Sequence, residues 1–306
     1  EVKAGTISVT GKTLTVTGAL RADGDITIAV SDDDTLFDTS DTKLGTIGDK
    51  DTSVSGSLFD VVGEAAVYVA ENGAIISDRG SVRITATVEQ TKPMVDLTIA
   101  GSNVLQEANF AAVKVASARV SVAGLIRAAG SVISAVTAKT VVSVSNADLS
   151  EFGVPVAAAV AIVSAETAVT GRVEAGASVT LGTDTDVSVE TRAQGGRLPI
   201  ALALSVVVVD TKTDVSGQIT AGGDVSLRAN GAAVAQTTAS GGKAGSPSGG
   251  YFALTVALTD ARATVSGAAN VTAGGDVRIR SGSDDSVTTL ATASGESAGE
   301  GGSLQS

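Results

Sequence analysis

The sequence predicts an all-β chain folded as a parallel β-solenoid, on three observations. Its residues are those of strands and turns, one short motif recurs along its length, and around each copy aliphatic residues alternate with small or polar ones. The 306 residues are 43% apolar, yet they include only five Phe, two Tyr, one Met and no Trp. Val, Ala, Ile and Leu supply the apolar content, with much Thr, Ser and Gly beside them. β-Branched residues fit a pleated surface and Gly supplies bends, so almost no helix is expected. The apolar content is also too high for a disordered tail.

The recurring motif is clearest in "ITAGGDVSLR", Ile219 to Arg228, and "VTAGGDVRIR", Val271 to Arg280. Six copies align on Asp25, Ser81, Ser131, Ser178, Asp224 and Asp276, a period of roughly 50 residues. A small residue precedes each anchor: Gly24, Gly80, Gly130, Ala177, Gly223 and Gly275. Each anchor is followed by a β-branched residue, and an aliphatic lies five positions before it. A second turn of the type Val-Thr-Gly or Val-Ser-Gly lies upstream, as at Gly18, Gly171, Gly217 and Gly267. These residues read as structural turn anchors. The glycines are expected to supply positive φ, and the Asp or Ser to accept a backbone N–H a little further on.

After each anchor the pattern has the period of a strand with one buried face. Val225 and Leu227 are expected inside with Ser226 and Arg228 outside, and Val277 and Ile279 inside with Arg278 and Arg280 outside. Before each Val-Thr-Gly turn runs a second strand in which bulky and small residues alternate. Examples are Ile200, Leu202 and Leu204 against Ala201 and Ala203, and Phe252, Leu254, Val256 and Leu258 against Ala253, Thr255 and Ala257. These apolar runs are too short for a spanning helix, which needs roughly 20 residues, and they alternate with period two. The bulky set is expected to face the core, leaving Ala and Thr outside. The outer face would then be free to pack on a loop or another copy of the molecule.

A repeat of this length made of short strands suits a propeller blade or a solenoid, and the aromatic signatures of propeller blades are missing. About two coils per repeat and six repeats give roughly 12 coils, a rod on the order of 55 to 60 Å long. Residues 1–306 read as a single solenoid segment of a longer chain, with no polar cap at either end. Three stretches interrupt it: an acidic insertion at 31–55 and Gly/Ser-rich loops at 239–250 and 293–302.

Composition removes most site chemistry. The chain has no Cys and no His, which excludes disulfides, thiol nucleophiles and imidazole acids, bases or metal ligands. A net charge of −12 argues against nucleic acid or an anionic membrane as partner. Strand positions offer Thr, Ser and Ala rather than the paired acids of a glycosidase, so no enzyme is expected. The acidic insertion carries the one dense set of carboxylates. Asp32, Asp34, Asp38 and Asp41 are weak candidates for Ca²⁺, but they lack fixed ligand spacing and read better as a solvated loop, with no cofactor.

The motif V-[ST]-G-x-[IV]-x-A-G-G-D-V-x-[LI], with its preceding "ALALSVVVVD" or "ALTVALTD" strand, resembles the repeats of filamentous haemagglutinin-like and leukotoxin-type bacterial surface adhesins. The resemblance covers nearly the whole chain and is best from about residue 154 onward. It implies a right-handed parallel β-helix that serves outside the cell as a stalk or adhesive fibre, in contact with a host or neighbouring cell. The alternative is a filament subunit that stacks end to end, and lateral self-association is a further expectation. Export also suits the composition, which is free of Cys and rich in Thr, Ser and Gly.

Overall fold

A computed structural model describes residues 2–33, 57–91, 109–147, 155–195, 200–241 and 250–292. The chain advances by three strands per turn. The first coil is β1 (Val2–Ala4), β2 (Ile7–Gly11) and β3 (Thr13–Val16); the second is β4 (Ala19–Ala22), β5 (Ile26–Asp33) and β6 (Ser57–Val69). The third is β7 (Ala74–Ser77), β8 (Val82–Gln90) and β9 (Asn109–Val122); the fourth is β10 (Leu125–Ala128), β11 (Val132–Ala147) and β12 (Val156–Val169). The fifth is β13 (Arg172–Ala175), β14 (Val179–Gln194) and β15 (Ile200–Val215); the sixth is β16 (Gln218–Ala221), β17 (Val225–Ser240) and β18 (Gly250–Val265). β19 (Asn270–Ala273) and β20 (Val277–Thr292) begin a seventh.

Every strand pairs in parallel with its counterpart one coil away, which builds three sheets. Sheet A holds seven short strands from β1 to β19, sheet B seven strands from β2 to β20, and sheet C six strands from β3 to β18. The chain is therefore a parallel β-solenoid, and no helix occurs among the described residues. The coil count differs from the expectation of two per repeat. Val132 pairs with Val179 and Val179 with Val225, so one motif repeat closes one full coil. The reason is strand length: β11, β14, β15, β17, β18 and β20 each run 16 residues, about three times an ordinary strand. The described stack is accordingly about 30 Å tall at 4.8 Å per coil, half the length expected.

The fifth and sixth coils are held by 16 paired positions in sheet B, 16 in sheet C and four in sheet A, and the sixth and seventh by 16 in sheet B and four in sheet A among the described residues. Corner residues extend the same ladder: Gly223 N–H donates to Ala177 O and Gln218 N–H to Gly171 O, both coil to coil. The third connection, from sheet B to sheet C, is where all the internal undescribed stretches fall.

The core tapers. Beside sheet A lie the larger aliphatics, Ile26, Ile28, Ile75, Ile84, Ile126, Ile219, Leu227 and Val225, all buried. Further along, sheets B and C face each other through Ala, Ser, Thr, Gly and Val, with Val187, Val189, Val207 and Val209 the bulkiest of the interior residues in β14 and β15 there. Thr185 Oγ1 meets Thr211 Oγ1 at 2.6 Å, and a chain of hydroxyls runs from Thr289 through Thr255, Thr237 and Ser205 to Thr191 at 2.6 to 2.8 Å. Short side chains in direct contact across the gap hold these sheets well inside the roughly 10 Å spacing of sheets packed through large residues. Gly231 lines this gap too, where an added Cβ would come within 3.0 Å of Thr259 Cγ2.

That narrow gap reverses the expected orientation of the third strand in each coil. Ala201, Ala203 and Ser205 are buried, while Ile200, Leu202, Phe252, Leu254, Val256 and Leu258 are exposed. The alternation is as expected and its phase is opposite, because no room exists inside for Leu or Phe. In sheet B the expected phase holds for Val225 and Leu227, both buried, with Arg228 exposed. Val277 and Ile279 stack on them in register but remain 49% and 47% exposed, since no described coil covers them.

Candidate functional surface on the third sheet

The corner anchors act between coils rather than within a turn. Asp25 Oδ1 accepts the backbone N–H of Ser81 at 2.7 Å, Ser81 Oγ that of Ser131 at 3.1 Å, and Asp224 Oδ1 that of Asp276 at 2.8 Å. Ser131 Oγ likewise accepts from Ser178 at 3.4 Å. Asp25, Ser81, Ser131 and Asp224 thus each bond their counterpart in the next coil, not a local amide as expected.

The glycines of these corners also differ from expectation. Among the described residues only Gly267 has positive φ, at 68°. Most of the anchor glycines stack closely instead: a Cβ on Gly130 would overlap Ser81 Oγ, one on Gly80 would overlap Asp25 Oδ1, and one on Gly275 would overlap Asp224 Oδ1, whereas Gly18 has open space around it. Gly24 meets Gly5 O in the same way, and Gly223 lies against Ala177 O at 3.3 Å. A parallel column of Gly73, Gly124, Gly171 and Gly217 lines the other corner, each stacked on a carbonyl of the coil before. A seventh corner was missed in the sequence. Gly5-Thr6 precedes Ile7 as Gly24-Asp25 precedes Ile26, and Gly24 N–H donates to Gly5 O at 2.7 Å. Its signal was present, but it stands much closer to the Asp25 corner than the period of the other six allows.

Charged side chains mostly face outward and pair. Arg21 reaches one coil on to Asp78 through two nitrogens, at 2.7 and 3.0 Å. That guanidinium, first by hydrogen bonding and then by its charge, holds the Asp78 carboxyl below its ordinary value despite some opposing desolvation. Arg119 and Glu166, register partners in sheet C, approach to 3.2 Å, and Arg228 reaches Asp184 at 2.5 Å in sheet B.

Of the candidate calcium ligands, Asp32 lies near the end of β5 on the interior face. Its Oδ2 accepts the Glu64 backbone N–H at 2.7 Å and pairs with Lys12 Nζ at 2.8 Å, so this carboxylate is already engaged. Asp34, Asp38 and Asp41 lie outside the described residues, as do nearly all of 31–55, the middle of 239–250 and all of 293–302. Ser31 to Asp33 belong to β5, and Ala239 and Ser240 close β17. Among the described residues no group of three acids is placed to hold a metal ion. A shallow groove floored by Gly124, Gly171 and Gly217 carries Arg127 on its wall beside the ion pair of Arg172 and Glu174.

Among the described residues, the outer face of sheet C carries many of the exposed large apolar side chains, among them Val62, Ile162, Ile200, Leu202, Phe252 and Leu258. Its residues align coil to coil in rungs: Val113, Val160, Val206 and Val256 form one, and Val62, Val115, Ile162, Val208 and Leu258 form the next. Ala158, Leu204 and Leu254 form a third, and Val156, Leu202 and Phe252 a fourth. Immediately beyond Leu258 the same outward face turns polar in each strand. Ser117, Ser164, Asp210 and Asp260 make the next rung, followed by Arg119, Glu166, Lys212 and Arg262. At 4.8 Å between strands and about 6.7 Å between outward neighbours, the apolar half covers roughly 500 Å². The outer face of sheet B carries Thr180, Asp184, Asp186, Ser188, Glu190 and Arg192 at equivalent positions and has no such patch.

Searches against protein-family models, curated proteins and solved structures return no match for this chain. The fold and its surface define the class: a β-solenoid repeat protein whose coils are built one to a motif.

Proposed function

We propose that the chain is a non-enzymatic stalk or fibre segment of a large adhesin at a bacterial cell surface, holding a host or neighbouring cell at a distance. One observation carries this reading, the unbroken coil-to-coil bonding of all three sheets along the rod. The fifth and sixth coils share 36 paired backbone positions, and at the corners the coils stack too closely for side chains. Such a rod resists bending and unfolds coil by coil, which suits a spacer under load. The motif resemblance supports the same reading and supplies its cellular setting.

The test is single-molecule stretching of the chain along its axis, combined with adhesion of chain-coated beads to animal and bacterial cells. Resistance followed by lengthening in steps of about 16 nm, one coil's worth of extended chain, is expected, with bead capture above that of an uncoated control. Unravelling without resistance, together with no capture, would refute the proposal.

A second reading, end-to-end stacking into a filament, is favoured by the strand edges of β18, β19 and β20, which have no further partner among the described residues. It ranks lower because Asp285 sits on the interior register of β20, above the buried Ala233. A coil stacked on top would bury that carboxylate at a cost of several kcal/mol. Negative-stain microscopy separates the two, since filament subunits give fibres and a stalk segment does not.

A further inference from the structure

We propose that the apolar half of sheet C is a lateral interface that pairs face to face with the same surface of a second copy of this chain. The inference is independent of the adhesin reading and rests on where the side chains change character. Along β12, β15 and β18 the outward residues are apolar up to the rung of Ile162, Val208 and Leu258, and polar at the next rung. The change occurs at the same register in successive coils. A composition merely rich in Val and Leu would not stop there, and sheet B, built from the same coils, faces outward with Thr, Asp, Ser and Arg.

Leu258 is 61% and Phe252 56% exposed, so the patch is not satisfied within the described chain. Its area fits a self-pairing. Two faces of roughly 500 Å² remove about 1,000 Å² from water on association, the lower bound for a specific interface, and flat sheets interdigitate through such rows at a spacing of about 10 Å. A copy of the chain presents a matching partner with the same alternation of ridge and gap, and a twofold axis lying along the strands sets apolar half on apolar half.

The experiment is sedimentation velocity on the full chain from about 1 to 100 µM. A species of twice the 29.9 kDa chain mass is expected in this range. Leu202→Glu combined with Leu258→Glu should weaken dimerisation at least tenfold with an unchanged circular dichroism spectrum, while Thr180→Glu on sheet B should leave it intact. The absence of cysteine gives a readout that does not depend on disrupting the face. Val206→Cys, inside the patch, should form an interchain disulfide on mild oxidation, whereas Ser188→Cys on sheet B should not. A wild-type chain that stays monomeric at 100 µM overturns the proposal. So does a dimer that survives the double substitution, or crosslinking equal at the two cysteines.

Discussion

Replacing Ala203 by Leu tests the inverted packing of sheet C directly. Ala203 is completely buried in β15, between Ala157 of the coil below and Ala253 of the coil above, and it faces a gap spanned elsewhere by single pairs of hydroxyls. Leu adds three carbons to a space with no room for them. The sheets cannot part locally, because the Thr–Thr and Ser–Thr hydrogen bonds nearby would have to lengthen with them. Overpacking of this kind costs about 1 to 3 kcal/mol and occasionally more. With a urea dependence of about 3 kcal/mol per molar, the unfolding midpoint should fall by roughly 0.3 to 1 M. The companion variant Leu202→Ala, one residue away on the exposed face, should shift the midpoint far less when both are measured at submicromolar concentration. Pairing the variants within one coil matters, since repeat stacks need not unfold in a single step. Should Ala203→Leu prove neutral while Leu202→Ala costs the roughly 2 to 5 kcal/mol of a core truncation, the assigned phase is wrong.

Three further outcomes follow from the same geometry. Gly222→Ala would drive a Cβ into the carbonyl of Gly176 and should cost about 3 kcal/mol or more, whereas Gly11→Ala, with open space around it, should be neutral or slightly stabilising in the same melts. Val225→Asp should lower stability by about 3 to 5 kcal/mol by burying a charge without a partner, while Arg228→Ser should change it by less than about 1 kcal/mol, and equal urea midpoints would contradict the register of sheet B. Because Arg21 lowers the Asp78 pKa in the folded chain, their pair stabilises above the unfolded carboxylate value near 4 and is lost as pH falls through the lower native value. The melting-temperature gap between wild type and Asp78→Asn should therefore be constant at neutral pH and close in acid; a gap that widens below pH 4 would exclude this linkage.

Much of this protein was legible in its residues alone. The absence of Cys and His removed whole classes of chemistry, and the recurring Gly-Asp or Gly-Ser corner, followed by Val or Ile, placed six of the seven first-to-second-sheet corners. Alternation along Val225 to Ser240 and Ile200 to Val215 marked both long strands of a coil. These are local signals: a strand's two faces and a tight turn are specified by neighbours in sequence.

What the sequence left open depends on distances between segments far apart in the chain. Alternation says that Ala203 and Leu204 lie on opposite faces but not which face is inside; the close approach of the two sheets, seen in the Thr185–Thr211 contact, decided that, by leaving room for nothing larger than Val. Repeat length does not reveal how many corners it contains, and 16-residue strands turned two expected coils into one. The corner glycines look alike whether they serve positive φ or close stacking, and only the carbonyl of the adjacent coil, a whole repeat away in the chain, distinguishes the two. The apolar face of sheet C emerged for the same reason. A narrow interior expels its large side chains, and their destination is set by the spacing of two sheets rather than by any stretch of sequence.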